Sequence, residues 1–191
     1  MWYVIQTMKG KEYKAAEEVR CDVAAEDEPV FVFENEMEYK VKGSWIKDTN
    51  PFFPGYIFVD INAEKAEDFD YRLRKEKHPL KLLRVDDIIT PIKPEEEEYL
   101  SRLGGEEHIV RNSEGYRVDD MIEITSGSFK GWTGEIRKLD RHKRRATICV
   151  TMMGREVEVN IGLEIVKSVS KDELETADEF DTEKMAKIVK A

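Results

Sequence analysis

A mixed α+β fold in two parts is the class this chain predicts, and three observations carry it. Residues 2–103 alternate short apolar runs with stretches of helical spacing. Residues 116–167 hold only short β segments separated by glycine-containing or basic turns, the texture of a small barrel. Between them, residues 104–115 (GGEEHIVRNSEG) are polar, glycine-flanked and aperiodic, and read as a flexible linker.

The elements follow in order. Residues 2–7 are an apolar run suited to a buried strand. After Gly10, residues 11–25 put Tyr13, Ala16, Val19 or Arg20, and Val23 at helical spacing, and Pro29 ends that helix. Residues 30–33 resume β character. Met37, Tyr39 and Val41 then alternate with Glu38, Lys40 and Lys42, as in a half-exposed strand ending in a turn at Gly43-Ser44. Phe52-Phe53-Pro54-Gly55 leads into a third strand at 56–61. Ala66, Phe69 and Leu73 mark a second helix, and 80–85 a further strand. Pro94 suits the first turn of a third helix, because its missing N–H would have no partner there. Residues 95–98, four glutamates, complement that helix's dipole, and Gly104 follows Leu103 at its end. The later β segments are 121–125, 132–138, 146–152 and 155–161. Residues 168–191 are acidic, then weakly helical, a tail that is either disordered or a docking helix.

Composition narrows the function classes. With 191 residues, 40% apolar and 38% charged, the chain can build a core, which argues against wholesale disorder. No window approaches the roughly 20 apolar residues that cross a bilayer, and the N-terminus lacks the basic start and cleavage site of a secretory signal, so a cytoplasmic location is expected. Cys21 and Cys149 are too few for a disulfide framework or a zinc site and read as packed thiols. The net charge of −10 is unevenly spread. Residues 1–114 carry −9, residues 115–170 carry +2, and within them 136–155 carry seven Lys/Arg against Asp140 alone. Charges more than about 10 Å away are largely screened, so the local field decides what binds.

Enzymatic constellations are scarce. His78, His108 and His142 have no ligand-like spacing to one another or to a cysteine, so no metal or cofactor is expected, and a Cys21–His78 nucleophile pair is weaker than a packing role for Cys21. The basic run says more. Arg137 and Lys138 end one strand, Arg141, His142, Lys143, Arg144 and Arg145 form the connection, and Arg155 opens the strand after the next turn. Read as a hairpin, the run collects these cations at one end of the barrel, against the plain alternative of a solvated turn. A-form RNA is read through backbone, shape and unpaired loops, which suits flexible Arg and Lys on a projecting turn. A second group is aromatic: Trp2, Tyr3, Phe52, Phe53, Tyr56 and Phe58 cluster at the starts of two strands, either as core or as a face that seats a partner's helix.

Several of these residues resemble a known family. Trp2-Tyr3-Val4-Ile5-Gln6-Thr7, Gly10, Phe53-Pro54-Gly55-Tyr56-Ile57-Phe58-Val59, Pro91-Ile92 and Glu97 are similar to the N-terminal domain of NusG-type transcription factors. Gly127-Ser128-Phe129-Lys130-Gly131-Trp132-Thr133-Gly134 resembles their C-terminal KOW motif. The resemblance covers about residues 2–167. It implies an N-terminal domain over 1–103, with an antiparallel sheet flanked by helices, a linker over 104–115, and a five-stranded Tudor-like KOW barrel over 116–167. It also implies that Trp2, Tyr3, Phe53 and Tyr56 hold the clamp helices of RNA polymerase, in the bacterial cytoplasm and at the nucleoid.

Departures from the general factor point to a subgroup. Leu82-Leu83-Arg84 stands where that factor usually has Gly-Phe, and Met153 replaces the aromatic of the turn that meets ribosomal protein or Rho. The basic hairpin and acidic tail look like the specialised LoaP-type antiterminators. The resulting expectation is a monomeric, non-enzymatic antitermination factor that binds polymerase through its first domain and structured leader RNA through its barrel. One rival is recruitment by single-stranded non-template DNA through Lys9, Lys11 and Arg74, with the barrel on a ribosomal protein. Another is a ribosome-associated KOW protein.

Overall fold

The structure, a computed structural model, describes residues 1–75, 80–118, 121–132 and 135–169. Sequence expectations on 76–79, including His78, and on the tail beyond 169 lie outside these residues. The chain runs β1 (Trp2–Gln6), α1 (Glu12–Asp22), β2 (Val30–Phe31), β3 (Glu34–Val41), β4 (Ser44–Pro51), β5 (Tyr56–Asp60), α2 (Ala66–Lys75), β6 (Lys81–Leu82), β7 (Arg84–Val85), β8 (Ile88–Ile89), α3 (Pro94–Gly104), β9 (Ile109–Val110), β10 (Ser113–Val118), β11 (Met121–Ser126), β12 (Ile136–Asp140), β13 (Arg145–Met152) and β14 (Arg155–Val169).

The first part is built on an antiparallel four-stranded sheet of order β2-β5-β1-β6. Successive residues along its strands face opposite sides. Tyr3, Ile5, Ile57 and Val59 join Ala16 and Val19 of α1 and Phe69 and Leu73 of α2 in one apolar cluster. Trp2, Val4, Phe58, Phe31 and Phe33 face the other way, onto Leu100 and Leu103 of α3. Under the helical face, Glu28 is buried and receives the fork of Arg72 at 2.9 and 3.0 Å and the Ala25 N–H at 2.9 Å. Burial pushes its pKa upward, but Arg72, the Ala25 amide and Lys65 together hold it below the ordinary glutamate value.

Several stretches differ from the sequence expectation, among them β10, unforeseen and beginning inside the expected linker, β12, found at 136–140 where 132–138 was expected, and β14, which runs on from 161 to 169. Residues 44–51, not anticipated as a strand, form β4, which pairs antiparallel with β3 along its whole length, Glu34↔Pro51 to Val41↔Ser44. Lys42 and Gly43 both take positive φ (50° and 91°), the geometry of a two-residue hairpin loop. The strand expected over 80–85 is split between β6, on the main sheet, and β7, in a ribbon with β8. The stretch read as a flexible linker carries β9, parallel to β3, because Ile109 and Val110 are apolar within an otherwise polar segment and Val110 is buried.

The second part is a five-stranded sheet of order β11-β10-β14-β13-β12, with β10 and β14 parallel. Its inner residues Ile124, Phe129, Ala146, Ile148, Val150, Met152, Val159 and Ile161 belong to the same continuous cluster as Trp2, Phe53 and Leu100. The glycine that opens the 127–134 motif is required by close approach: Gly127 has φ +83°, and a Cβ there would lie 2.6 Å from the Ser113 Cα.

Replacing Arg72 with Ala leaves the buried Glu28 carboxylate with only the Ala25 amide and the more distant Lys65, and a loss of about 3 kcal/mol is expected in urea unfolding at pH 7. The loss should shrink in acid, where Glu28 protonates in the folded state. A loss that does not vary with pH counts against the pairing.

Candidate nucleic-acid interface and aromatic face

The basic turn lies between β12 and β13, closed by the pair Asp140↔Arg145. Asp140 Oδ1 accepts the Lys143 N–H at 3.0 Å, and Arg144 takes φ +49°, so the chain reverses tightly and fans its side chains apart. Arg141, His142 and Lys143 are exposed, as is Lys138 on β12. Lys143 lies 4.0 Å from Asp140, a solvated contact of little energetic weight.

The other expected cations are placed differently. Arg137 sits toward the far end of β12, exposed and 3.4 Å from Glu135. Arg155 pairs with Met152 at the opposite end of β13. Seven residue steps separate it from Arg145, roughly 24 Å of strand, so the run does not gather at one end of the sheet. A hairpin brings together only residues near its own turn, and Arg155 belongs to the next one.

Arg144 and Arg145 turn inward. Arg144 is 26% exposed; its guanidinium is 2.7 Å from Glu38 of β3 and 2.8 Å from Glu164 of β14, and lies 4.2 Å over the ring of Trp45. The Arg145 guanidinium lies 4.6 Å over Tyr39. In the β3–β4 register Trp45 pairs with Lys40, and Lys40 and Glu38 share one face while Tyr39 lies on the other. The two arginines therefore straddle β3.

Further contacts join the two parts. Asn35 Nδ2 donates to the Asn160 carbonyl, and the Arg111 N–H donates to Ser128 Oγ at 2.8 Å. Glu96, buried on α3, accepts the N–H groups of Met153 and Gly154 at 2.9 Å each and that of Lys93 at 3.2 Å. Glu97 accepts the Trp2 N–H at 3.1 Å. Two of the four glutamates thus have tertiary partners that a dipole argument does not foresee. Glu36 takes Lys47 at 3.0 Å. Burial pushes its pKa upward, yet Lys47, the Asn112 N–H and Arg111 hold it below the ordinary glutamate value.

The aromatic group is interior here. Trp2, Tyr3 and Phe53 are 5%, 2% and 1% exposed, and only Tyr56 is half-buried. Tyr3 does not share a face with the other three, because alternation sends it to the helical side. Trp2 packs edge-on against Phe31 and His108, and His108 stacks on Phe31 at 3.7 Å. Gly55 (φ +91°) follows Pro54 and donates its N–H to buried Glu12 at 2.7 Å, which holds the turn ahead of Tyr56. Of the proposed DNA-contacting residues, Lys9 and Lys11 are exposed around Gly10, and Arg74 is paired with Asp70 at 2.9 Å. Cys21 is exposed.

The fold is of the α+β class. Among the described residues no group of three or more His, Cys, Asp or Glu is arranged to hold a metal ion, and no described helix is long and apolar enough to cross a membrane. The family model described as transcription termination factor nusG matches residues 1–101, just over half of the sequence, and the chain belongs to that family. It is a NusG-like transcription termination/antitermination factor. The transcription termination/antitermination protein NusG of Haemophilus influenzae is 29% identical over 173 residues, 84% of this chain and 89% of that one. That of Bacillus subtilis is 28% identical over 169 residues, 84% and 93% of the two chains. A solved structure titled "Domain interaction in Thermotoga maritima NusG" is 24% identical, covers 84% of this chain and 92% of that chain, and has a TM-score of 0.49.

Burial lowers the His108 pKa below its usual value, with Asp60 opposing weakly. The folded state therefore favours the neutral ring, and stability present above about pH 6.5 is lost as pH falls below it. Thermal unfolding between pH 7.5 and 5 is expected to show this loss, and His108→Gln to flatten it. An equal pH dependence in that variant rules out His108 as the source.

Proposed function

We propose that this protein is a bacterial antitermination factor of the LoaP type. Its first part, residues 1–103, binds the clamp helices of RNA polymerase, and its KOW part, residues 116–167, captures a structured leader RNA to promote read-through of terminators in particular operons. Family membership supports the polymerase half of this reading. The observation that carries the RNA half is the exposed set Lys138, Arg141, His142 and Lys143 at one turn of a chain whose net charge is −10. A cationic turn that persists on an anionic molecule fits a polyanion bound locally, with the remaining charge screened. Tethering the two contacts on one chain raises the effective concentration of each, so neither need be tight.

The reading in which this part meets a ribosomal protein uses the 152–155 turn. That turn is engaged by Glu96 in the joined arrangement, as Arg144 and Arg145 at the opposite end of β13 are engaged by Glu38, Trp45 and Tyr39. Recruitment by single-stranded DNA through Lys9, Lys11 and Arg74 stays a separate reading, and competition between an RNA hairpin and single-stranded DNA for the same protein distinguishes the two.

Changing Arg141 and Lys143 together to Glu is expected to weaken binding of a structured RNA at least about tenfold and to lower the salt slope by about two. Unchanged affinity in a gel-shift series rejects the assignment. On the polymerase side, Tyr56→Ala is expected to reduce retention in a pull-down with little change in melting temperature. Phe53→Ala truncates a fully buried ring and is expected to cost about 3–5 kcal/mol of stability. Full retention by Tyr56→Ala counts against this face.

A further inference from the structure

The basic turn opens onto the outer side of the five-stranded sheet. On β13, Ala146, Ile148 and Val150 are buried in the core, so alternation turns Thr147, Cys149 and Thr151 outward. Directly paired residues share a face. The register therefore sets Lys138 of β12, Thr147 of β13 and Asn160 of β14 in one row across three strands, next but one to the pair Asp140↔Arg145 that closes the turn. Farther from the turn the same face becomes acidic. Glu158 stands opposite Cys149 and Glu156 opposite Thr151, both exposed, and Arg137 on that part of β12 is paired with Glu135 at 3.4 Å. A polyanion seated on the turn thus meets the row of Lys138, Thr147 and Asn160 and is repelled beyond it.

Within the row, Thr147 Oγ1 donates to Asn160 Oδ1 at 2.9 Å. This bond settles which end of the carboxamide faces Thr147. It leaves the Nδ2 hydrogens of Asn160, an exposed residue, without a partner among the described residues. The Asn160 main chain is held as well, because its carbonyl accepts from Asn35 Nδ2. A side chain fixed in this way has little freedom left to lose on binding. We infer that this row is the base-reading part of the RNA site. Lys138 continues the phosphate contacts of Arg141 and Lys143, the Asn160 amide donates to an acceptor on the edge of an unpaired base, and Thr147 is the positioning residue that aims it. Phosphate contacts set register but carry no sequence information, so a turn made of cations needs such a group beside it to discriminate. Unpaired bases of structured RNA offer their Watson–Crick and Hoogsteen edges to hydrogen bonds of this kind.

This inference rests on the RNA reading above, and the test separates the two. The full chain is offered a pool of RNA stem-loops with one common stem and a randomised loop, and the bound fraction is sequenced. The unaltered chain is expected to enrich particular bases at one loop position. Asn160→Ala is expected to abolish that enrichment and to bind the enriched stem-loop about tenfold more weakly, with the salt slope unchanged because no phosphate contact is lost. Thr147→Val, which removes only the aiming hydroxyl, is expected to weaken the preference with Asn160 in place. Lys138→Ala is expected to weaken all members of the pool alike and to lower the salt slope by about one. Equal enrichment by the unaltered and Asn160→Ala chains, no enrichment by the unaltered chain, or a lowered salt slope in Asn160→Ala overturns the base reader. An unchanged preference in Thr147→Val overturns the positioning role. Arg141→Glu combined with Lys143→Glu discriminates the readings. If it weakens binding of the whole pool while Asn160→Ala leaves enrichment as it was, only the base reader falls; if it changes nothing, the RNA reading falls and the base reader with it.

Discussion

The two-residue alternation along β1 and β5 is the constraint on which the rest of the molecule depends. It sends Tyr3, Ile5, Ile57 and Val59 to one side and Trp2, Val4 and Phe58 to the other. The first set is sealed by α1 and α2. The second meets α3 and is continuous with the interior of the five-stranded sheet. A slip of one residue would exchange the two sets and empty both clusters, so register and burial specify each other.

Polar contacts give that apolar continuity its orientation. Glu96 holds the 152–155 turn by two amides, Asn35 holds the Asn160 carbonyl, and Arg144 and Arg145 straddle β3. Each joins residues far apart in the chain, and each brings a partly or wholly buried polar group to a partner, as low-dielectric surroundings demand. The outward turn leaves Arg141, His142 and Lys143 exposed. One five-residue basic run is thus divided by the direction in which each side chain leaves the turn.

Much of the first part was legible from spacing. The helices at 12–22, 66–75 and 94–104 follow apolar periodicity, Pro29 and Pro94, and β1, β3 and β5 follow runs or alternation strong enough to stand alone. β4 was not legible, because Ser44 to Pro51 is mostly polar with no residue fully buried and owes its strand to pairing with β3. β9 was hidden for a similar reason: two apolar residues in a polar segment have no period, and they become a strand only beside Glu34 and Asn35. At the candidate site, residue types spoke clearly about chemistry but not about company. The cations and the aromatics were visible, whereas Glu38, Tyr39 and Trp45 as partners of the arginines were not.

By itself the sequence determined the α+β class, the order of most elements, the acidic-to-basic change along the chain and the motifs that mark the family, since each depends on neighbours within a few residues. Tertiary structure alone decided that Trp2 and Phe53 are interior to one cluster with the second part, that Arg155 stands a strand's length from Arg145, and that Arg144 and Arg145 face inward while Arg141 and Lys143 face out. Those outcomes depend on contacts such as Arg144 to Glu38, 106 positions apart, and nothing local in a chain encodes which distant surface it will meet.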